Sequence, residues 1–245
     1  MKKLSTLFYL VVFILIHISI QSCVMERSSE EKGNHTEELS FESFDGIKVS
    51  RLFIVEVVIG DKFAVTTSVP ERYADQLSVK VDSDSTVVIT TEGKIDKKRR
   101  DVFKAKITCP SFEKIIAEDL TKINVISGFS ASNMEISANS LSEITFKEKL
   151  NVENNCIVKA ENMSKINVSG TASSLEVIAR DMADVNCSNL NVKTATATAN
   201  SMSGISVHAD EKFELEASDM SRIRYLGDGE IVRKVVNSMS SINKK

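Results

Sequence analysis

Four sets of residues in this sequence have types suited to chemistry: three histidines, a recurring aspartate, four cysteines and a train of evenly spaced methionines. His17 lies in an apolar leader and His35 in a polar segment, so His208 alone falls in the part expected to fold, and no Ser/His/Asp or Cys/His set can be assembled around it. Asp119, Asp181 and Asp219 occupy the same place in a repeat described below. Rows of aspartates on stacked strands can gather calcium, as in β-helical polysaccharide lyases. These three, however, stand three and two repeats apart, about 14 and 10 Å at a strand spacing of about 4.8 Å. That is too far to share an ion whose oxygen ligands sit at about 2.3–2.6 Å. Asp181 with Asp184 is the one pair that could approach across a corner. Met163, Met182, Met202, Met220 and Met239 offer thioethers, which suit copper(I). They take the place of Leu120 and Leu141 in one apolar column, which reads as core filling. Cys109, Cys156 and Cys187 are odd in number; Cys156 and Cys187 fall in inward columns and read as buried thiols, with a bridge between them left open. No cofactor is called for and the chain reads as a non-enzyme.

The elements that position these residues come from a repeat of about twenty residues. One phrase recurs seven times, as in Ala117-Glu118-Asp119-Leu120-Thr121-Lys122-Ile123 and Ala160-Glu161-Asn162-Met163-Ser164-Lys165-Ile166, with spacings of 21, 22, 19, 20, 18 and 19 between central residues. The central residues and their partners three positions on are Leu120 and Ile123, Leu141 and Ile144, Met163 and Ile166, Met182 and Val185, Met202 and Ile205, Met220 and Ile223, and Met239 and Ile242. All fourteen are expected to form core columns. Apolar residues also recur seven, five and three positions before the centre and five after it, with polar residues between, which predicts two short strands per repeat. Lys234 breaks the column five before the centre. A repeat of this kind cannot bury its apolar face alone. Stacking it on its neighbours aligns like residues into a continuous core, so the fold class is an all-β, single-stranded parallel β-helix, right-handed by the crossover rule. The Asp, Ser or Asn before each centre marks the turn. Segments joining one winding to the next vary in length and are expected as loops on one side.

The domain reading has four parts. Residues 1–22 form a signal peptide, with Lys2 and Lys3 ahead of an apolar stretch. Ile20-Gln21-Ser22-Cys23 resembles a lipobox, so residues 23–40 are a lipidated N-terminus, modified at Cys23, followed by a flexible tether. Residues 41–112 form an N-terminal β section that caps the solenoid, with strands expected at 47–49, 52–59, 63–69, 77–81, 86–91 and 102–108. Residues 113–245 form a β-helix of about seven coils. Charge excludes little but nucleic acid: 31 Lys and Arg against 34 Asp and Glu leave a net charge of −3, with no basic field to hold a polyanion. The basic run Lys97, Lys98, Arg99 and Arg100 reads as a solvated loop.

The phrases Ser164-Lys165-Ile166-Asn167 and Ser240-Ser241-Ile242-Asn243, with Phe44-Asp45-Gly46-Ile47 and Cys109-Pro110-Ser111-Phe112, carry a resemblance. Over residues 41–245 the chain resembles the Bacteroidota lipoproteins of the putative auto-transporter adhesin, head GIN domain family. The resemblance implies an extracytoplasmic β-helix in the cell envelope, anchored to the outer membrane by its lipid, and brings no catalytic residues. The functional expectation is a non-enzymatic binder of a protein or glycan ligand. The alternatives are a calcium-dependent polysaccharide lyase and a purely structural envelope component.

Overall fold

Alternating burial along nearly every strand follows from the two-residue period of the sequence, and the computed structural model, which describes residues 33–96 and 101–245, shows what those strands build. The leader, Cys23 and the basic run 97–100 lie outside the described residues. Two strands open each winding of a parallel solenoid. The first face stacks β2 (Gly46–Ser50), β8 (Lys114–Glu118), β11 (Met134–Ala138), β14 (Asn155–Ala160), the C-terminal parts of the long bent strands β15 (Lys165–Ala179), β16 (Asp184–Ala199) and β17 (Gly204–Ala217), and β19 (Glu230–Val236). The second stacks β3 (Phe53–Ile59), β9 (Lys122–Val125), β12 (Glu143–Phe146), the N-terminal parts of β15 to β17, β18 (Arg222–Leu226) and β20 (Ser241–Lys244).

The segments expected as variable loops contain a third face. Phe129–Ala131 (β10) and Leu150–Val152 (β13) pair in parallel, and Leu150 and Asn151 pair with Gly170 and Thr171 of β15. Only two or three residues of each segment alternate, so the period-two signal is too short to read from sequence. Gly170 is required there: its φ is +138°, and a Cβ would sit 1.8 Å from the Leu150 carbonyl oxygen.

Residues 41–112 were expected to cap the solenoid, and their strands fall within a residue or two of the expected positions. β2 and β3 nevertheless belong to the first winding, for Val55 pairs with Ile123 and Val49 with Ala117. Beyond them β6 (Thr86–Thr91) and β7 (Phe103–Cys109) add a parallel layer to β2 and β3. β5 (Leu77–Val81) then runs antiparallel to β6, β4 (Phe63–Pro70) antiparallel to β7, and β1 (Asn34–Phe41) antiparallel to β4. Antiparallel strands thus occupy the edges that the parallel stack would leave open at its N-terminal end. Asn34–Ser40, expected in the flexible tether, is part of β1; its alternating Thr36, Glu38 and Ser40 are too polar to signal a strand. A two-turn 3-10 helix, Glu71–Gln76, packs Tyr73 against Phe103, which in turn meets Phe53 edge-on.

One feature sets the register of every winding. At each corner between the first and second faces two consecutive residues take the left-handed conformation, φ about 50–56° at Asp119, Ser140, Asn162, Asp181, Ser201, Asp219 and Ser238 and about 58–64° at the Leu or Met that follows. Arg51 and Leu52 form the same pair at 71° and 70°, giving eight such corners in all. The N–H of the second residue donates to the carbonyl of the first residue one corner on: Leu52 to Asp119 at 3.0 Å, Leu120 to Ser140 at 2.9 Å, and so on to Met220 and Ser238 at 2.9 Å.

This corner corrects half of the expected core. Ile123, Ile144, Ile166, Val185, Ile205, Ile223 and Ile242 are buried in register, as expected. Leu120, Leu141, Met163, Met182, Met202 and Met220 point outward with 43–53% of their surface exposed, and Met239, at the last corner, is 86% exposed. The reason is phase. Positions three, five and seven before the centre are inward, and so are three and five after it; the centre itself is an odd number of residues from both sets in phase with neither face. The residue after the centre continues the inward phase. Thr121, Ser142, Ser164, Ala183, Ser203 and Ser221 are all buried there. Two of these hydroxyls are tied to the preceding winding, Ser164 donating to the Ala138 carbonyl and Ser221 to that of Ala199, both at 2.8 Å. Lys234, out of place in an apolar column, sits at the final winding and its ammonium donates to the Ile242 carbonyl at 3.1 Å.

Urea unfolding of three variants checks these faces. Ile166→Asp places an unpaired charge in the dry interior and is expected to lose at least about 3 kcal/mol. Lys165→Asp, exposed one position earlier, should change stability by less than about 1 kcal/mol. Met182→Asn should also stay within about 1 kcal/mol, because Asn tolerates the left-handed backbone better than Met and little burial is lost.

Candidate binding surfaces

The chemistry-bearing residues do not converge. His208 Nε2 lies 3.1 Å from Asp210 Oδ1, two residues along the same strand and open to solvent. Asp119, Asp181 and Asp219 each sit at the first position of a left-handed corner, on windings three and two apart. Among the described residues no three His, Cys, Asp or Glu side chains group so as to hold a metal ion. The three cysteines of the folded part are free and buried. Burial pushes the Cys109 and Cys156 thiols up to about 12, and burial followed by the neighbouring Cys156 raises Cys187 well above the ordinary thiol range. They are small apolar core residues rather than nucleophiles.

The outer positions of the second face carry Lys122, Glu143, Lys165, Asp184, Gly204, Arg222 and Ser241 in a vertical row, with Asn124, Thr145, Asn167, Asn186, Ser206, Arg224 and Asn243 beside it. Some neighbouring windings neutralise one another. Lys122 meets Glu143 at 3.0 Å, and on the first face Lys159 meets Glu135 at 3.2 Å and Arg233 meets Glu216 at 2.7 Å. Partial burial acts to raise the Glu143 carboxyl, but the Lys122 ammonium and Thr145 hydroxyl outweigh it and hold the group below its usual value. Exposed pairs of this kind contribute little stability each.

Two surfaces stand out from this balanced background. The first is a groove of about 400 Å³ where the third face returns to the first, lined by amide and hydroxyl groups from consecutive windings, among them Asn133, Asn154, Asn155, Ser173, Ser174 and Thr194. Its side chains are held in rank by one another and by the backbone: the Ser174 hydroxyl donates to Asn155 Oδ1, the Asn155 N–H to Asn133 Oδ1, and the Ser174 N–H to the Asn154 carbonyl. Next to it the Thr171 hydroxyl donates to Asn151 Oδ1 at 3.1 Å. Lys193 and Glu211 stand at its margin. Sequence reasoning missed this groove because its residues lie in the variable segments; the recurrence of Asn and Ser at Asn133, Asn154-Asn155 and Ser173-Ser174 was the available signal. The second surface is the corner row of Leu and Met itself. One end opens into a cleft of about 1040 Å³ between Leu52, Leu120 and Leu141 on one side and Gly93–Asp96 on the other, where the Arg51 guanidinium donates to the Thr91 and Gly93 carbonyls.

A solenoid of this length with these corner phrases has known counterparts. The family model described as "Putative auto-transporter adhesin, head GIN domain" matches residues 43–229. The chain belongs to this family. Its fold is also that of several solved structures. One is described as a putative adhesin from Bacteroides fragilis, with a TM-score of 0.77 at 16% identity, covering 87% of this chain and 98% of that one. Another, a putative adhesin from Parabacteroides merdae, has a TM-score of 0.66 at 15% identity, covering 87% and 96%. A third, described as a putative lipid binding protein from Parabacteroides distasonis, has a TM-score of 0.64 at 16% identity, covering 87% and 97%. At these identities the likeness is one of fold. No curated protein matches the sequence. Among the described residues no helix is long and apolar enough to cross a membrane.

The thiol environment makes a prediction with a definite sign. A thiol whose folded value is raised contributes stability that is complete below its unfolded value, near 9, and is lost as pH rises from there toward about 12. Cys109, Cys156 and Cys187 should therefore resist a thiol reagent at pH 8 in the native protein and react in urea, as read by peptide mapping. Between pH 9 and 12 the urea midpoint should fall more steeply than in a Cys109→Ala, Cys156→Ala, Cys187→Ala variant.

Proposed function

We propose that this head GIN domain protein is a non-enzymatic, lipid-anchored binder of the bacterial cell envelope, attached through Cys23 to the outer membrane and presenting its solenoid to a glycan. The observation that carries the reading is the Asn, Ser and Thr groove. Neutral amides and hydroxyls fixed on a stacked backbone retain donor and acceptor capacity toward solvent, complement the hydroxyls of a sugar chain, and lose little conformational freedom on binding. Repetition at the strand spacing suits a repeating ligand. The adhesin description of the family and of the similar structures supports attachment to a surface ligand, and the lipobox-like Ile20-Gln21-Ser22-Cys23 supports the anchor. The scattered positions of His208, Asp119, Asp181 and Asp219 offer no arrangement for general acid–base chemistry.

A glycan array followed by calorimetry on the best hit tests the reading. Binding without turnover is expected, with Asn155→Ala and Ser174→Ala together weakening it at least about tenfold, the effect of losing one or two buried polar contacts. Release of unsaturated or new reducing-end products would contradict the non-enzymatic assignment. Capture of a protein ligand through the same groove, with an empty array, would replace the glycan by a protein partner.

A further inference from the structure

The outward row of Leu120, Leu141, Met163, Met182, Met202, Met220 and Met239, which half-buried Leu52 continues at the first corner, is not explained by the core or by the polar groove. Each residue follows a left-handed position with another, in a backbone conformation that disfavours a large side chain and that Gly or Asn would occupy with less strain. The row nonetheless carries Leu or Met at all eight corners. Seven steps of about 4.8 Å make it an apolar stripe about 34 Å long and one side chain wide. A continuous exposed stripe of this kind marks a place where something apolar binds, and Met is the side chain best able to adapt to a flexible one.

What surrounds the stripe narrows the occupant. Over three successive rungs, Met182, Met202 and Met220 line a cavity of about 270 Å³ that is shared with Arg222 and Arg224. These two arginines alternate along β18, both exposed, so both guanidinium stems leave the same face of the strand. Neither forms an ion pair among the described residues. Asp184 lines the same cavity, Asp181 and Asp219 sit at the corners beside the rungs, and the Arg pair stands next to Met220, one corner short of Met239 at the end of the row. Four steps away, about 19 Å, the stripe enters the predominantly apolar cleft at Leu141, Leu120, Leu52 and Ile95, with Lys94 at its rim.

A narrow apolar track with two unpaired guanidinium groups beside it is complementary to a single long tail with an anionic head. We propose that the corner row binds a long-chain fatty-acid carboxylate, with the carboxylate on Arg222 and Arg224 and the tail laid along Met220, Met202, Met182 and Met163 toward the Leu141 cleft. The site shares no residue with the Asn and Ser groove, so it stands or falls independently of the glycan reading.

The test is a titration of the full chain, carrying Cys23→Ser so that no attached acyl group competes, with a fluorescent long-chain fatty acid held below its critical micelle concentration. Saturable binding is expected. Arg222→Gln with Arg224→Gln should weaken it at least about tenfold, and Met202→Asn with Met182→Asn should do the same, with thermal unfolding showing that each variant remains folded. Unlabelled fatty acids should compete more strongly with length. Full burial tightens binding about fourfold per methylene, so a track that leaves half the tail exposed should give about twofold. An alkyl sulfate should compete and an alkyltrimethylammonium of equal length should not. Absence of saturable binding, equal binding by the variants, or equal competition by the cationic amphiphile would overturn the proposal. So would attachment to anionic vesicles without uptake of the monomeric fatty acid.

Discussion

The hydrogen bond from the N–H of each corner Leu or Met before Met239 to the carbonyl of the Asp, Ser or Asn one winding further on is the constraint from which the rest of this structure follows. A parallel stack has no hairpin to fix its register, and a slip of one residue would turn every side chain to the opposite face. Two consecutive left-handed residues make the chain bend at one place in each winding. The bond from that bend then fixes the height and phase of the next. The seven-step chain of such bonds from Leu52 to Ser238 runs the length of the solenoid.

Once the phase is fixed, the energetics divide cleanly between interior and exterior. The Ile and Val column three positions after each corner is dry, as are the Ala columns that let the first face pack closely, from Ala117 and Ala138 to Ala199 and Ala217. Every buried Val, Leu or Ile side chain contributes roughly 1.5–3 kcal/mol over its exposed state, and this burial, not the exposed ion pairs, outweighs the ordering of the chain. The Ser and Thr row inside the corner is a polar strip in the interior. It is accommodated where a hydroxyl can reach a carbonyl of the preceding winding, as at Ser164 and Ser221, and Ala183 replaces it at one corner without disturbing the register.

Much of this architecture was legible in the sequence because the signal was repeated seven times. The parallel stacking, the inward Ile and Val column, the turn role of the Asp, Ser and Asn residues and the strands of the N-terminal section could all be read from periodicity. The outward position of Leu120, Leu141 and the methionines could not be read from hydrophobicity, because these residues are as apolar as any in the core. Only their phase, an odd number of residues from the inward positions on both sides, distinguishes them. The first corner was hidden for a different reason: Arg51-Leu52 lacks the Asp, Ser or Asn of the later phrases, and the cap strands separate it from Asp119-Leu120. The polar groove was hidden because its Asn and Ser residues lie in segments of changing length, where a column alignment fails.

The central claim, that the corner turns one apolar row out while keeping its neighbour three residues on inside, is tested most directly by thiol accessibility. Cysteine introduced singly at Met182 and at Val185 would be labelled with a maleimide in the native protein and mapped by mass spectrometry. The Met182→Cys thiol should react within a few-fold of the rate of an unfolded control, while Val185→Cys should be protected like the native Cys187. Protection at 182 with reaction at 185, or equal reaction at both, would contradict the account.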